Sequence, residues 1–580
     1  MKRYVVLGMV LLLGVIFLSF ANAPQASASG PQDRYIVIAK SGADFDGLRA
    51  DSQKFGAKVV NEMRDLNAMV VKAPSNSKSQ IAASTHAQAV VKDRVETIVQ
   101  PSMAGDLWNA NFKPERKRID LGKGGGKNKV NPDPAFSLPG LMWNVLRVNA
   151  PQEWKITSGD PAVLVGVADT GLDYTHSELK TQVTSVVDLT DPTLCTDYYG
   201  ASDADLAAAY GGPVNTDWNG HGSWIGGNIA GALDGVGVNG IAPKVKLVAL
   251  KISEWCGSAY DSSILNAFLY AANHKIDIVS ISFGGYLDRS DPDQDAIYKQ
   301  YVDVVKYARQ KGTVIVAAAG NEHIRIGDGG QVISHGPLTT PGAAFTDYYG
   351  LWETPGGIPG VVDVSSTGNV VEAPSQTCAD GTTTYPNATC KPKSDAHQSF
   401  GVGRKNQLAY YSNYGPRIDV AAPGGARKFN LPNYERGGTP GFPVTTDSTT
   451  AWQDFSITSN WAFEIPCYVN VAPNFYPGEC YSTIQGTSMA TPHASAVLAL
   501  IASQNRFARG HVDELVRILK FSAQDLHGNT TPGLSANDKS VAEGTGVACA
   551  TGYCYLGGPA ISDRDAYGAG LVDAAGDHGH

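Results

Sequence analysis

Ser488 is the first residue whose surroundings suggest chemistry. It follows Gly486 and Thr487 and precedes an alanine-rich stretch of helical character. Backbone N–H groups at the start of a helix have no intrahelical partner, so a serine there can be a nucleophile with donors beside it for developing negative charge. The alternative is a serine that only caps a buried helix. A base and an orienting acid elsewhere in the chain would distinguish the two.

Three further polar residues could complete that chemistry. Asp169 ends an apolar run and could accept an imidazole N–H, while His221 lies between glycines at an expected helix start. Asn321 follows another apolar run and could donate its amide to an oxyanion, although turn or loop residues are the alternative for each. The Asp-Thr-Gly at Asp169 also occurs in aspartic proteases, but the chain has no second such motif to pair with it.

The elements that would position these residues begin near residue 143. Apolar segments alternate with segments of helical spacing, which predicts an α/β fold with a doubly wound, mostly parallel sheet. The expected strands lie at 162–171, 245–252, 276–285, 312–321 and 360–366, and the expected helices at 262–275 and 295–311. Functional residues should collect at the carboxyl ends of such strands.

Residues 33–100 form a separate pattern. Strands are expected at 34–40, 67–74 and 95–101, with a helix running into a strand over 45–60 and a second helix over 79–93. This βαββαβ order predicts a small α+β domain with an open sheet and helices on one face. A Gly/Lys-rich and Pro-rich stretch, 104–140, separates it from the rest.

The first 28 residues resemble a secretory signal peptide. Lys2 and Arg3 precede an apolar run at 5–18, and small residues follow, with Ala26 to Ala28 suited to cleavage. That run is short for a membrane span, and no later segment is apolar enough to cross a bilayer. We therefore expect a secreted, extracellular protein with no membrane attachment after signal removal.

Eight cysteines, none before Cys195, are consistent with disulfides in an oxidising compartment. Closeness along the chain favours the pairs Cys378–Cys390, Cys467–Cys480 and Cys549–Cys554. These pairs would leave Cys195 to pair with Cys256. No cysteine or histidine spacing is typical of zinc. The net charge of −9 gives no basic bias towards nucleic acid, and the one basic stretch, 113–129, has the composition of a flexible linker.

The order Asp169, His221, Asn321, Ser488 and the motifs around them resemble the subtilases, the subtilisin-like serine proteases. The matching segments are "VADTGLDYTHSEL", "NGHGSWIGGNIAG", "GIAPKVKLVALKI", "VSISFGG", "AAAGNE", "YSNYGPRIDVAAPGG", "GTSMATPHASA" and "YGAGLVDA". They cover about 160–500 and the C-terminal end.

The resemblance implies a role for each residue. Ser488 would be the nucleophile and His221 the general base, with Asp169 orienting the imidazole and Asn321 holding the oxyanion. Two segments would form the walls of the pocket for the side chain before the scissile bond, and their edges could pair with the substrate backbone. These walls are Ser282, Phe283 and Gly284, and Ala318, Ala319 and Gly320.

It also implies a domain order. Residues 29–103 resemble an inhibitor-type propeptide that pairs with the enzyme and assists its folding; a permanent accessory domain is the alternative. The linker 104–140 would contain the maturation site. Residues 141–580 would form the catalytic domain, with insertions at about 367–398 and 426–481. The second insertion could form a cleft wall, a small β-rich subdomain or surface decoration.

Two features of this chain can be compared with the pattern that is common among subtilases. Ser223 and Trp224 replace the Thr and second His of the common "GHGTH" motif, which leaves the three catalytic positions intact. Relatives often hold structural calcium at positions that correspond to Glu178 and to the loop 232–238, which contains Asp234. The alternative is that these are ordinary polar residues of a loop. No cofactor is expected for catalysis.

The sequence therefore predicts a secreted serine endopeptidase made as a zymogen, which acts on protein or peptide substrates. A peptidyl transferase, ligase or esterase with the same triad is one alternative, since water and an amine compete for the same acyl-enzyme. A catalytically silent binding protein of the same fold is another. The walls of glycine and alanine suggest a pocket for apolar or aromatic side chains.

Overall fold

The computed structural model describes residues 32–98, 142–235, 237–334, 347–369, 405–409, 411–425, 457–462, 480–526 and 561–578. The predicted signal peptide and linker lie outside these residues, as does most of the two predicted insertions. We call residues 32–98 the N-terminal unit and the described residues from 142 onwards the main unit.

The described residues contain eighteen strands. They are β1 Gln32–Ala39, β2 Lys58–Met63, β3 Ala68–Pro74, β4 Ala87–Lys92, β5 Val95–Thr97, β6 Leu164–Asp169, β7 Val183–Asp188, β8 Lys246–Lys251, β9 Ser258–Tyr260, β10 Ile278–Ile281, β11 Gly285–Leu287, β12 Val314–Ala318, β13 Trp352–Thr354, β14 Val362–Asn369, β15 Lys405–Leu408, β16 Val420–Pro423, β17 Ile457–Trp461 and β18 Cys480–Ile484.

Twelve α-helices accompany them within the same residues. They are α1 Phe45–Lys54, α2 Lys78–Ala82, α3 Trp143–Arg147, α4 Ala150–Glu153, α5 Leu194–Tyr199, α6 Asp203–Tyr210, α7 His221–Ala230, α8 Asp261–Asn273, α9 Pro292–Gln310, α10 Thr487–Gln504, α11 Val512–Ser522 and α12 Asp563–Tyr567.

The main unit is built on one large sheet, as predicted. Its strand order is β15-β14-β12-β10-β6-β8-β7, with β16 also paired to β14. Every pairing is parallel except that of β15 with β14. Seven strands therefore run in parallel, and the α/β, doubly wound prediction is confirmed.

Alternate residues of the central strands enter two separate cores. In β12, Val314 and Val316 pack with the core formed by α7, α10 and α11, whereas Ile315 and Ala317 pack with α8 and α9. Because side chains alternate across a strand, strands covered on both faces are apolar at nearly every position. This is why the sequence showed these strands as continuous apolar runs rather than as alternating ones.

The N-terminal unit differs from the sequence expectation in its second helix and in its closing strand. The helix predicted over 79–93 ends at Ala82, and 87–92 form β4, which pairs antiparallel with β1 in a sheet of order β2-β3-β1-β4. Val90 and Val91 point into different cores, as in a strand covered on both faces. The expected closing strand is the short β5, which pairs with the main unit instead of its own sheet.

The N-terminal sheet has two apolar faces. Residues such as Val37 and Val71 pack with Phe45 of α1 in a core of the unit's own. Ile36 and Val70, on the opposite face, belong to the core that contains α8 and α9 of the main unit. The second face is therefore buried only because the two units are in contact.

Two further sequence expectations can be compared with the described residues. Cys195 and Cys256 form a disulfide, and the other three expected pairs fall on residues or side chains outside the description. Within the insertion predicted at 426–481, β17 pairs antiparallel with β18 just before α10. No described helix is long and apolar enough to cross a membrane.

Candidate active site

Asp169 and His221 meet at one edge of the central sheet. Asp169 is the last residue of β6, and His221 is the first residue of α7. The imidazole Nδ1 lies 2.8 Å from Asp169 Oδ1, and both side chains are buried. A carboxylate in this position accepts the Nδ1 proton, which fixes the tautomer and leaves Nε2 able to accept a proton.

The start of α7 is held by Asp217, a buried residue that the sequence analysis did not identify. Its Oδ1 accepts hydrogen bonds from Asn219 N, Gly220 N and Thr170 Oγ1, at 2.8 to 2.9 Å. Its Oδ2 accepts from the backbone N–H and the hydroxyl of Ser223, at 2.8 and 2.7 Å. One carboxylate thus ties the residue after the strand to the first turn of the helix.

The departures from the common motif are explained by these contacts. Ser223 uses its hydroxyl both to donate to Asp217 and to accept from Asp173 N, at 2.8 Å. Trp224 is fully buried, and its indole N–H donates to the carbonyl of Ser482 in β18, at 3.2 Å. Trp224 therefore joins α7 to the strand that leads into α10.

Ser488 is the second residue of α10, directly after Gly486 and Thr487. Helices α7 and α10 are in contact, which brings the serine to the same edge of the sheet as His221. His221 Nε2 makes no hydrogen bond in the described part of the chain. The nitrogen that would accept the serine proton is therefore not engaged elsewhere, and in unliganded enzymes this contact often forms only when substrate binds.

Asn321 is positioned by the residue before the serine. Its Oδ1 accepts from Thr487 N at 2.9 Å and from Thr487 Oγ1 at 2.8 Å. Because the oxygen receives both bonds, the amide nitrogen is left as a donor towards the cleft. Ser488 N lies in the first turn of α10, where N–H groups lack intrahelical acceptors. These two donors are suited to stabilise an oxyanion between them.

A pocket opens beside Ser488 and Asn321. Its space, including the open mouth, is about 340 Å³. Five of the six predicted wall residues line it, namely Ser282, Phe283, Gly284, Ala318 and Gly320. The sixth, Ala319, is fully buried and is not among the described lining residues; its carbonyl accepts from Asn413 Nδ2 at 2.6 Å.

The pocket contains acidic residues that the sequence analysis did not identify. Glu322 and Glu353 both line it, together with Tyr286. Tyr286 donates its hydroxyl proton to Glu322 Oε2 at 2.6 Å, and Asn413 Nδ2 lies 3.2 Å from the same oxygen. Gly320 is required here, because its φ is +95° and a Cβ would lie 2.4 Å from Asn413 Nδ2. The sequence suggested apolar or aromatic side chains for this pocket from its glycine and alanine walls, and these two glutamates were not part of that prediction.

Local motifs could not have revealed most of these residues. Glu322 directly follows Asn321, so its position was readable, but its place in the pocket was not. Asp217 lies four residues before His221, and an aspartate ahead of a glycine-flanked helix start is the signal that was available. Asn413 lies in the matching segment "YSNYGPRIDVAAPGG", but its position beside the pocket could not be read from that motif. Glu353 comes from a segment outside the matching motifs.

The predicted calcium position holds a hydrogen-bonded carboxylate. Glu178 Oε1 accepts from Val238 N at 3.0 Å and from the Tyr481 hydroxyl at 3.1 Å. Among the described residues, no three His, Cys, Asp or Glu side chains are grouped so as to hold a metal ion. These donors suit a structural carboxylate, and calcium binding stays a prediction.

Comparisons with known proteins agree with this arrangement. The sequence model of the subtilase family, Peptidase_S8, matches residues 160–543. Thermitase of Thermoactinomyces vulgaris is 25% identical over 378 residues, which are 65% of this chain and 86% of thermitase. The major intracellular serine protease of Bacillus subtilis is 32% identical over 185 residues, 32% of this chain and 49% of that protein.

A solved structure shares the fold. The epidermin leader peptide processing serine protease of Staphylococcus aureus superposes with a TM-score of 0.57 at 16% identity, over 95% of this chain and 98% of that one. The chain thus belongs to the subtilase family. It is a serine endopeptidase, and its substrates are peptides.

We expect Asp217→Asn to destabilise the protein by about 2–4 kcal/mol, because an amide N–H₂ would face N–H and O–H donors that now bind a carboxylate. Urea unfolding in a Ser488→Ala background, which prevents self-digestion, would measure this. Asp188→Asn is the matched control. Asp188 also accepts a backbone N–H and a hydroxyl, both from Thr190, but at an exposed site, so the change should be within about 0.5 kcal/mol. Equal effects would mean that Asp217 has no special role.

Proposed function

We propose that this protein hydrolyses peptide bonds through an acyl-enzyme formed on Ser488, with His221 and Asp169 completing the triad. The observation that carries the proposal is the Asp169–His221 hydrogen bond at the sheet edge where Ser488 and Asn321 flank a pocket. A serine that only capped a helix would need neither the oriented imidazole nor the amide beside it.

The proposed reaction follows from the donors and acceptors present. His221 Nε2 takes the proton of Ser488 Oγ as the oxygen attacks the scissile carbonyl carbon. Asp169 keeps the ring oriented and stabilises the imidazolium. Asn321 Nδ2 and Ser488 N donate to the oxyanion, and His221 then gives the proton to the leaving amine. A water molecule, deprotonated by the same nitrogen, hydrolyses the acyl-enzyme and restores Ser488.

We also propose that the N-terminal unit is an inhibitor-type propeptide. Its last strand, β5, adds to β9 of the main unit in antiparallel pairing, Val95 opposite Tyr260 and Thr97 opposite Ser258. Thr97 also bridges to Gly284, a wall residue of the pocket. A chain held between these two segments occupies the place where an added substrate strand would pair.

Polar contacts hold the rest of the unit in a defined position. Arg34 of β1 lies 2.7 Å from Asp93, and its guanidinium also contacts Asp191 and Ser262 of the main unit. Lys72 adds a contact to Asp191 at 3.0 Å. Arg34, Asp93 and Asp191 are all buried, so these interactions are weakly screened by salt.

Two buried carboxyls meet where β5 joins the main unit. Burial and the nearby Asp261 raise the pKa of Glu96 to about 8, although Arg94, 3.0 Å away, favours the ionised form. Burial likewise raises the pKa of Asp261 to about 7. Glu96 leaves the interior when the units separate, so its protonation is linked to their association.

The remaining parts of the proposal rest on sequence. The positively charged start, short apolar run and small residues of 1–28 support export, and the linker 104–140 is where we place maturation. Residues 1–28 and 104–140 lie outside the described residues.

Ser488→Ala should abolish peptide hydrolysis and leave the precursor unprocessed, because both need the same nucleophile. A fluorophosphonate probe should label the wild-type enzyme on Ser488 and leave the variant unlabelled. A variant of mature length, produced in a host without other proteases, would contradict self-processing. Labelling at another serine would contradict the assignment of the nucleophile.

Asn321→Leu should lower kcat roughly 100- to 1000-fold with little change in KM, the loss typical of one oxyanion donor. The reason is that its amide serves charge that develops only in the transition state. Steady-state kinetics on one peptide would separate the two parameters. A large rise in KM at constant kcat would instead identify a residue that binds the ground state.

Residues 29–103, added as a separate chain, should inhibit the mature enzyme competitively, and more weakly as pH rises from about 5 to 8. In the free unit Glu96 ionises above about pH 4.5, whereas in the complex it keeps its proton up to its raised pKa of about 8. Between these two values binding requires Glu96 to take up a proton, so each rise in pH weakens binding. Inhibition constants at several pH values would measure this.

In that experiment Glu96→Gln should remove most of the pH dependence. Asp46→Asn, the same change of charge on the exposed side of α1, should not. Non-competitive behaviour, or no inhibition at all, would favour a permanent accessory domain.

A further inference from the structure

The pocket beside Ser488 is lined in part by the acidic residue Glu353. Glu353 lies in β13, directly opposite Tyr286 of β11, the strand that continues from the wall formed by 282–284. It lines the pocket, yet only 3% of the residue is exposed. Its Oε2 is buried and makes no hydrogen bond in the described part of the chain. A residue whose carboxyl group has one oxygen without a hydrogen bond thus forms part of the lining of the space that a substrate side chain would enter.

Further acidic side chains surround Glu353. Glu322 lines the same pocket nearer to Asn321. Behind the pocket, Asp363 Oδ1 and Glu353 Oε1 each lie 3.0 Å from the point where a Cβ of Gly356 would be. Neither oxygen of Asp363 makes a hydrogen bond to a described residue. Burial and the neighbouring carboxylates raise the pKa of Glu353 well above its usual range.

Arg417 does not pair directly with these acidic side chains. Arg417 donates to Asp419 Oδ2 at 2.8 Å. Its other donors go to four backbone carbonyls, those of Gly356, Gly357, Ile358 and Val361. No ion pair joins Glu322, Glu353 or Asp363 to a basic side chain within the described ranges.

We propose that this pocket binds a lysine or arginine side chain on the N-terminal side of the scissile bond, with Glu353 as the residue that selects its charge. This deepens, and rests on, the proposed function. A cationic head group would supply the partner that the Glu353 carboxylate lacks, in a site where water is largely excluded and an ion pair is strong. The methylene groups would lie between Phe283 and the Ala318 wall, which are apolar.

The chain itself contains such residues where it is expected to be cut. The predicted linker includes Arg116, Lys117 and Arg118, and further lysines up to residue 129. The basic stretch that the sequence analysis read only as a flexible linker is thus of the class that the pocket would accept.

The test compares peptidyl aminomethylcoumarin amides that differ only in the residue beside the coumarin. Lysine, arginine, norleucine and leucine substrates would be measured with the mature enzyme. Norleucine is the decisive comparison, because it matches the lysine stem without the charge. We expect kcat/KM for lysine or arginine to exceed that for norleucine roughly 100-fold, the scale of a buried charge that gains its partner.

Glu353→Gln should reduce the lysine-to-norleucine ratio at least about tenfold, chiefly through KM, because charge is lost while shape is kept. Glu353→Asp, which keeps the charge, should retain more of the ratio. Glu514→Gln removes one carboxylate at an exposed ion pair with Arg517 and should leave the ratio unchanged. Each variant's rate of fluorophosphonate labelling would report whether its site is assembled.

A second measurement needs no variant. Benzamidine, a small planar cation, should inhibit the wild-type enzyme competitively and at least about tenfold more tightly than its uncharged counterpart benzamide. Equal inhibition by the two would overturn the proposal.

The remaining outcomes distinguish a failure of the pocket assignment from a failure of the proposed function. Normal labelling with norleucine or leucine preferred over lysine and arginine would overturn the pocket assignment and leave the proposed function standing. A basic preference that survives in Glu353→Gln would overturn the role of Glu353. Neither labelling nor hydrolysis with any substrate would overturn the proposed function, and the pocket inference with it.

Discussion

The rest of the site depends on one hydrogen bond, between Asp169 at the end of β6 and His221 at the start of α7. Asp169 ends a strand and His221 begins a helix that packs on the same sheet, so the bond needs a fixed distance between a strand end and a helix start. Asp217 supplies it, since it accepts donors from beside both residues. A buried carboxylate with five donors tolerates little displacement, because any donor it loses is left unpaired.

The segment after β10, residues 282–284, contacts the substrate pocket on one side and the N-terminal unit on the other. Gly284 lines the pocket on one side, and on the other it meets Thr97 at the end of the N-terminal unit. A Cβ at Gly285 would overlap the Glu96 carboxylate. Small residues at these positions therefore permit both a substrate pocket and a close chain alongside it. The apolar sheet face of the N-terminal unit adds the area that keeps the unit in place.

The sequence alone predicted the features that short motifs and hydrophobic patterns determine. The parallel sheet followed from continuous apolar strands, and Asp169, His221, Asn321 and Ser488 each stood in a short motif at a strand or helix end. Where local pattern and tertiary contact disagreed, the prediction was wrong: 87–92 read as helix but pair with β1 as a strand. Glu353 was beyond reach, because only the pairing of β13 with β11 brings it to the pocket. Asn413 stood in a recognised motif, but its contact with Tyr286 of the pocket depends on where the loop after β15 lies.

Burying carboxylates without a partner opposes folding, so the acidic pocket has a cost that the surrounding structure must offset. Arg417 shows how this is done. Its backbone contacts hold the loop at 356–361 behind the pocket, and its nearby positive charge tempers the repulsion without closing on Glu353. An arginine that paired directly with Glu353 would have made the site more stable, but it would also have neutralised the carboxylate. The observed arrangement keeps the loop rigid while the carboxylate stays available to a ligand.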